Sequence, residues 1–241
     1  MKKYLKMPWA VRLATLFAMI PALFLGGCGQ QTKCEKSIDT AMGTVISQTV
    51  YVTGNSKATT NEKTYDKVTD VVLQKLNDLE QQELSWRLDS AEVAQINAAA
   101  GKGQMQISAA MAGWLERCLQ ISEQTGGAFD VSIGKLSRLW DIDTWAAADD
   151  PQDYELPGRE EIEQACATAG WQQMILEQRT DSTVVSIPAR MQLDLGAVGK
   201  GVALDEIRKT LEEHPKVSGA VISVGGSILT YGNKPEGGAW Q

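Results

Sequence analysis

The sequence predicts an α+β fold, because stretches with strand character and stretches with helical periodicity both recur along the chain. Residues 44–53 (Thr-Val-Ile-Ser-Gln-Thr-Val-Tyr-Val-Thr) are rich in β-branched side chains, which is typical of a strand. Five apolar residues fall on one stripe at helical spacing and predict a helix over residues 62–82: Tyr65, Val68, Val72, Leu76 and Leu79. A chain of 241 residues that is 43% hydrophobic is large enough to bury a core in one large or two small domains.

Residues 1–27 are predicted to be a secretory signal peptide that precedes the fold. Four basic side chains stand before an apolar run over residues 13–25: Lys2, Lys3, Lys6 and Arg12. Residues 25–28 (Leu-Gly-Gly-Cys) resemble the bacterial lipobox, in which cleavage leaves Cys28 as the new N-terminus with lipid on its sulfur. A plain signal peptide or a short membrane anchor is the alternative, although the run is shorter than the ~20 residues of a spanning helix.

Residues 28–38 are predicted to be a tether, and residues 39–241 a single domain. The tether prediction rests on polar composition without periodicity. Acyl chains on Cys28 would hold the domain at a membrane, since each buried methylene contributes about 0.8 kcal/mol. The expected location is therefore an extracytoplasmic membrane surface.

The elements after the first strand are predicted in order along the chain. Three helices follow the one at 62–82: one from Asp89 or Ser90 to Gly101, one capped by Ser108, and one over residues 159–169. Residues 174–177 and 183–187 predict a hairpin, and residues 220–224 and 227–231 predict two strands joined by a glycine turn.

The final residues are predicted to begin another strand. Residues 239–241 follow a turn-rich segment, and a strand starting there has no partner in the sequence. The sequence is therefore expected to stop within a domain. A chain with such an unpaired sheet edge is expected to be unstable or to aggregate by itself.

The chain is organised around a glycine-rich stretch at residues 191–205. Met191, Leu193 and Leu195 alternate with polar residues and predict a strand, and helical spacing begins at Val202. A strand that turns through glycines into a helix N-terminus can hold an anion, because free backbone N–H groups and the helix dipole point outward there.

Two charged side chains flank this glycine turn. Lys200 adds a positive charge for a phosphate, and Asp194 adds a carboxylate that could act with a metal. The spacing is neither the Walker motif nor Gly-x-Gly-x-x-Gly. The alternatives are a glycine-rich connection without chemistry, and an Asp194–Lys200 ion pair across the turn.

Charge and cysteine usage exclude several classes of function. The net charge of −7 argues against a nucleic-acid partner, which requires a basic face. No Cys-x-x-Cys motif is present, which argues against a zinc or thioredoxin-like site. Cys118 and Cys166 are predicted to lie in helical core faces.

Four ordered stretches resemble the ApbE-like FAD:protein FMN transferases. The first is Met-Gly-Thr at residues 42–44, and the second is Leu-Ser-Trp-Arg-Leu-Asp-Ser at 84–90 followed by Ile-Asn at 96–97. The third is Gly-Ala-Phe-Asp-Val at 127–131 with Leu-Trp at 139–140. The fourth is Asp-Leu-Gly-Ala-Val-Gly-Lys-Gly at 194–201 with the segments at 224–228 and 233–237. The resemblance extends from residue 42 to the end and implies a T-fold-like mixed sheet flanked by helices.

The resemblance implies a specific reaction and a set of site residues. Members transfer FMN from FAD to a threonine hydroxyl of an exported partner protein with the help of Mg²⁺, and release AMP. Carried over by position, the implied flavin- or FAD-contacting residues are Met42, Trp86, Ala128, Phe129, Asp130, Asp194 and Lys200, and the carbonyl of Ala197 would be a metal ligand. The family's other metal ligands, an Asp and a nearby hydroxyl, come from a segment after residue 241.

Two other functions remain open on the sequence alone. The same pocket could hydrolyse FAD to FMN and AMP, or it could bind a flavin without catalysis. The metal ligands and acceptor contacts that would separate these functions lie outside the sequence.

Overall fold

The computed structural model describes residues 32–54, 57–60, 63–147 and 154–241. The predicted signal peptide, the lipobox and Cys28 lie outside these residues. Within the described part of the chain, no helix combines the length and the apolar character needed to cross a membrane.

The described chain forms nine strands and seven α-helices, with one π-helical and one 3₁₀ segment between them. The strands are β1 Thr32–Ala41, β2 Thr44–Thr53, β3 Ala58–Thr60, β4 Lys63–Tyr65, β5 Met105–Ile107, β6 Ile175–Gln178, β7 Thr183–Ser186, β8 Val217–Val224 and β9 Ser227–Gly232. The helices are α1 Val68–Asp78, α2 Glu92–Ala98, α3 Ala109–Gln124, α4 Gly134–Trp140, α5 Ile142–Ala147, α6 Arg159–Cys166 and α7 Gly196–Glu212. The π-helical segment is Leu79–Leu84, directly after α1, and the 3₁₀ segment is Trp171–Gln173.

The main sheet has four antiparallel strands in the order β1-β2-β8-β9. One face packs on the core through alternating side chains that are fully buried, including Ile46 and Val50 of β2 and Ile222 and Val224 of β8. Helices α1 and α7 lie against the sheet and carry the other half of this core. The α+β class predicted from the sequence is confirmed, and so are strand β2, the β6–β7 hairpin and the β8–β9 hairpin.

Strand β1 corrects the predicted tether. Residues 28–38 were expected to be unstructured linker, but from Thr32 onward every residue pairs with β2, down to Ala41 opposite Thr44. Glu35 explains the difference, because its buried side chain accepts a hydrogen bond from the N–H of Val68 at 2.9 Å. That bond fastens β1 to the first turn of α1, a contact that polar composition does not reveal.

Three other local predictions are also wrong. The helix predicted over 62–82 begins only at Val68, after strand β4. Residues 239–241 form no strand; the Trp240 indole instead donates to the carbonyl oxygens of Tyr231 and Gly232, 3.0 Å away in each case. Cys166 is exposed, because α6 buries none of its residues, whereas Cys118 is buried as predicted.

A charged network joins helices α1 and α7. Glu206 of α7 accepts from Lys209 at 2.6 Å and from Lys75 of α1 at 3.1 Å. Burial alone would raise the pKa of Glu206, but the two lysines outweigh it and lower that pKa below its ordinary value. The network therefore fixes α7 against α1 and the π-helical segment that continues it.

We expect Glu206→Ala to lower the free energy of unfolding by about 1 kcal/mol at pH 7, since a partly buried pair with two lysines is lost. The lowered pKa means that this stabilisation is present above the ordinary pKa of a glutamate and is lost as the pH falls through the folded-state value. Urea unfolding at pH 7 and at pH 3 checks this. A difference between the two proteins that persists unchanged at pH 3 would contradict it.

Candidate functional site

A cleft of about 140 Å³ lies where the β1–β2 turn, the end of the π-helical segment and the start of α7 meet. Its lining residues come from three separate parts of the sequence: Met42, Glu80, Leu84, Ser85, Trp86, Arg87, Asp194, Leu195, Gly196, Gly199 and Lys200. Ligand pockets usually measure about 300–1,000 Å³, so this volume suits one part of a dinucleotide rather than the whole molecule.

Four of the predicted site residues line this one cleft: Met42, Trp86, Asp194 and Lys200. They are separated by up to 158 positions in the chain (200 minus 42). A larger polar cavity between α1 and α7, lined by Lys75, Glu83 and Glu206, contains none of them.

The β1–β2 turn brings Met42 to the cleft in an unusual conformation. Met42 has φ +54° and Gly43 has φ +66°, so both central residues of the two-residue turn are in the left-handed region, as a type I′ hairpin requires. Glycine tolerates that region, but a methionine there costs about 1–2 kcal/mol. Strain of this kind is kept where the surroundings enforce it, and it is common at functional sites.

The surroundings that enforce this turn belong to the π-helical segment Leu79–Leu84. Glu80 accepts a hydrogen bond from the N–H of Met42 at 2.8 Å. Such π-helical turns inside α-helices are rare and occur frequently at functional sites. The segment ends at Ser85, whose hydroxyl accepts from the N–H of Arg87 and so turns the chain toward Trp86.

Trp86 is half-buried and carries two guanidinium groups on its indole ring. The Cζ atoms of Arg87 and Arg138 lie 3.9 and 4.7 Å from the ring centroid, within the range of cation–π attraction. Arg87 also forms an ion pair with Asp143 of α5. The rim of the cleft beside Trp86 is therefore positively charged.

The start of α7 forms the opposite wall. The helix begins at Gly196 rather than at Val202, so the predicted glycine turn is in fact its first turn. The N-cap residue is Leu195, and Asp194 just before it accepts at Oδ1 from the N–H of Gly196, the first residue of the helix, at 2.7 Å. Gly199 is buried, and a Cβ added there would lie 3.8 Å from Met42 Cε, at ordinary van der Waals distance, so the Met42 side chain lies beside this helix.

Lys200 is exposed at the mouth of the cleft. Among the described residues no ion pair joins it to Asp194, which contradicts the alternative of a pair across the turn. With the positive end of the α7 dipole and the exposed first turn at Gly196 and Ala197, Lys200 makes this wall suitable for an anion.

The segment before α7 is not the predicted strand. Met191, Leu193 and Leu195 are buried as their alternation predicts, but Gln192 makes only one isolated bridge, to Ile133. Buried Asn97 takes the place of a neighbouring strand, because its amide donates to Leu193 O at 2.9 Å and accepts from Leu193 N at 2.6 Å. Asn97 therefore sets the position of Asp194, one residue further on.

The predicted residues Ala128, Phe129 and Asp130 do not line this cleft. Ala128 is exposed, and Phe129 is half-buried against the core. The carboxylate of Asp130 accepts from the N–H groups of Ser132 at 2.7 Å and Trp171 at 3.2 Å, which organises the loop around it.

This loop is nevertheless attached to the cleft, because Asp194 N donates to Val131 O at 2.8 Å. A flavin contact at the three residues stays a prediction. For it to be correct, a ligand would have to extend from the cleft beyond Asp194.

The donor set for a metal is limited but of the right chemical kind. In the described residues no group of three His, Cys, Asp or Glu side chains could hold a metal ion. Asp194 and the carbonyl of Ala197 are oxygen donors close to Lys200, and Mg²⁺ prefers oxygen ligands, keeps several waters and often binds through one or two carboxylates plus phosphates. The residues present thus fit Mg²⁺ as part of a ligand set, with Ala197 as a ligand still a prediction.

Sequence reasoning missed Glu80 and Arg87 as residues of the site. Glu80 belongs to a helical stretch whose only sequence signal is an apolar stripe, and its polar position suggests a solvent-exposed face. Arg87 stands directly beside Trp86, so the motif contained it, but nothing in the sequence shows that it faces the cleft.

The chain is similar to known proteins over most of its length. A model of the ApbE family matches residues 42–241. The FAD:protein FMN transferase of Treponema pallidum is 33% identical over 162 residues, which are 65% of this chain and 42% of that protein. The corresponding transferase of Haemophilus influenzae is 25% identical over 232 residues, which are 95% of this chain and 63% of that protein.

Solved structures of this kind share the fold. The apo form of the Pseudomonas stutzeri flavinyl transferase ApbE superposes with a TM-score of 0.68 at 22% identity, over 87% of this chain and 61% of that chain. The flavin transferase ApbE from Vibrio cholerae gives 0.69 at 19% identity, over 87% and 63%. The chain thus spans less than two thirds of the length of these relatives.

Proposed function

The chain belongs to the ApbE family, and from that premise we propose that it transfers FMN from FAD to a threonine hydroxyl of an exported partner protein and releases AMP. The observation that carries the proposal is the cleft itself. Met42, Trp86, Asp194 and Lys200, which the resemblance assigns to FAD, meet there although they come from three distant stretches.

In the proposed reaction the threonine oxygen attacks the phosphorus of the FMN half of FAD. A new P–O bond joins threonine to FMN, the bridging P–O bond breaks, AMP leaves with the bridging oxygen, and the hydroxyl proton passes to solvent or a base. Such transfers depend mainly on positioning and on neutralising charge at the phosphate oxygens. Lys200 and the positive end of the α7 dipole supply that charge, whereas the charge of Arg87 at the rim is paired with Asp143.

The apolar wall of the cleft suits the flavin. The Trp86 indole would offer a flat aromatic surface to an isoalloxazine ring once a guanidinium group that lies over it moves aside, and Met42 offers a polarisable side chain that adapts to the edge of the ring. Bound Mg²⁺ would neutralise charge on the diphosphate, and Ala197 and Asp194 are the residues beside which it would be held. Asp194 also keeps the N–H of Gly196 oriented, which fixes the helix end against which the phosphates would lie.

The proposal is tested by incubating the protein with FAD, Mg²⁺ and candidate exported acceptor proteins, and then looking for flavin fluorescence in a denaturing gel. Covalent fluorescence on an acceptor, lost when its target threonine is replaced by alanine, is the expected result. Free FMN and AMP without any acceptor would instead identify an FAD pyrophosphatase. Tight FAD binding without turnover would identify a non-catalytic flavin-binding lipoprotein.

We propose in addition that the protein is anchored to an extracytoplasmic membrane surface through lipid on Cys28. The support is the lipobox-like sequence at residues 25–28, which lies outside the described residues. We expect Cys28→Ser to abolish incorporation of labelled palmitate and to move the protein from the membrane to the soluble fraction. Cys34→Ser, a few residues on, is the matched control, and palmitate on the Cys28→Ser protein would contradict the proposal.

A further inference from the structure

Glu80 is the residue through which the π-helical segment controls the β1–β2 turn. Its carboxylate accepts the N–H of Met42 at 2.8 Å, and the two residues are 38 positions apart. Met42 is one of two described non-glycine residues with a positive φ. A hydrogen bond to an ionised acceptor is about twice as strong as a neutral one, which suits an acceptor that must hold a strained residue.

The pair also forms a wall between two cavities. Met42 and Glu80 line the cleft beside Lys200, and they line a second surface cavity of about 580 Å³ bounded by the hairpin turn and Asn77. Without the hydrogen bond, nothing else in the described hydrogen-bond network holds the N–H of Met42, and the turn could relax toward the second cavity. The cleft would then lose the wall that the Met42 side chain forms.

On its other side, the Met42 side chain lies beside α7. A Cβ added at buried Gly199, one residue before Lys200, would lie 3.8 Å from Met42 Cε, and both residues line the cleft. Met42 thus stands between Glu80 of the π-helical segment and the anion-binding wall. A change at Glu80 reaches the flavin side of the cleft through Met42. Because Glu80 also lines the cleft, removing its carboxylate takes a negative charge from the lining, a loss that Glu80→Ala and Glu80→Gln share.

We propose that Glu80 is a positioning residue that fixes Met42 as the flavin end of the cleft. This inference rests on the proposed function, because it assigns an end of the cleft to the flavin. Glu80 acts through the main chain of Met42 rather than on the reacting phosphate. Its loss therefore weakens recognition of the isoalloxazine. Recognition of the adenosine diphosphate half is not weakened, because a negative charge leaves the lining of the cleft.

The test compares Glu80→Ala and Glu80→Gln in the full chain, with binding of FAD, FMN and ADP measured separately by fluorescence or calorimetry. Losing a charge-assisted hydrogen bond corresponds to roughly a tenfold loss of affinity, which we expect in Glu80→Ala for FAD and FMN. The affinity for ADP should not fall. Glu80→Gln keeps an oxygen that accepts the N–H of Met42, so it should restore FAD affinity to within about threefold of the wild type.

A double-mutant cycle with Met42→Ala supplies the second measurement. Because Glu80 acts through Met42, Glu80→Ala should weaken FAD binding little further once Met42 is truncated. Equal losses for ADP and FAD, a Gln variant as poor as the Ala variant, or losses that multiply in the double variant would each overturn the inference. Those results leave the proposed function intact, whereas a wild-type protein that binds no FAD would overturn both.

Discussion

Replacing Lys200 with alanine should slow FMN transfer by about 10²–10³-fold in kcat/KM, with most of the loss in kcat. Lys200 stands at the mouth of the cleft, on the first helical turn that faces the proposed diphosphate, and no described ion pair neutralises it. Its charge is therefore available to the extra negative charge that develops on the phosphate oxygens during transfer. An interaction that strengthens in the transition state lowers kcat when it is removed, while uniform binding mainly affects KM.

The measurement is the initial rate of acceptor labelling over a range of FAD concentrations. Arg208→Ala is the matched control, because Arg208 is an exposed cation on the same helix, two turns beyond the cleft. It should change kcat/KM less than about twofold if only the local charge matters, since surface charges are screened within a Debye length of about 8–10 Å. A Lys200→Ala protein that labels as fast as the wild type would remove Lys200 from the mechanism.

Lys200→Arg adds information about geometry. Arginine keeps the positive charge but presents a planar fork in place of a compact ammonium group. We expect kcat/KM of Lys200→Arg to lie between the values for Lys200→Ala and the wild type, since the helix end limits the space near Gly199. Full recovery would show that charge alone is required at this position.

The elements that sequence reasoning predicted correctly are those specified by neighbouring residues. Strand β2 follows from a run of β-branched residues, and the β8–β9 hairpin follows from Gly225 and Gly226, whose positive φ values a tight turn requires. The start of α3 follows from Ser108, which accepts from the N–H of Met111 as a cap does. Each signal lies within a few residues of the structure that it determines.

The elements that it missed depend on partners far away in the chain. Strand β1 is fastened by Glu35 to Val68, and the hairpin turn by Glu80 to Met42. A glutamate in a polar stretch gives no sign that a distant backbone N–H will satisfy it. Polar composition therefore indicated a tether at β1 and a plain helical surface at Glu80.

Several of the predicted site residues share one cleft because the ordered motifs that carry the resemblance include them, although their roles stay predictions. Trp86, Asp194 and Lys200 carry the resemblance, and the structure places all three in one cleft. Phe129 carries it too, yet it packs beside the core, and only the bond from Asp194 N to Val131 O links its loop to the cleft. Motifs identify which residues belong to a site, but their distances within it depend on tertiary packing.

Asn97 shows how that packing controls the site, and its replacement with alanine should cost more stability than the loss of Glu206. The side chain is buried and makes two hydrogen bonds to the backbone of Leu193, which has no neighbouring strand to satisfy it. Leaving a buried donor and a buried acceptor unsatisfied costs about 1–3 kcal/mol each, so we expect Asn97→Ala to lose about 3 kcal/mol. For a domain of this size that corresponds to a Tm lower by roughly 10 °C.

Calorimetry of Asn97→Ala measures this loss, and Gln95→Ala is its control. Gln95 lies on the same helix and also donates from an amide to a backbone carbonyl, that of Ser90, but at the surface, where water replaces the bond. Its loss should stay below about 0.5 kcal/mol. Because Leu193 precedes Asp194, Asn97→Ala should also weaken FAD binding at temperatures where the protein is still folded. An Asn97→Ala protein as stable as Gln95→Ala would mean that water or a shifted backbone satisfies Leu193, and that the position of Asp194 is set by its bond to Val131 instead.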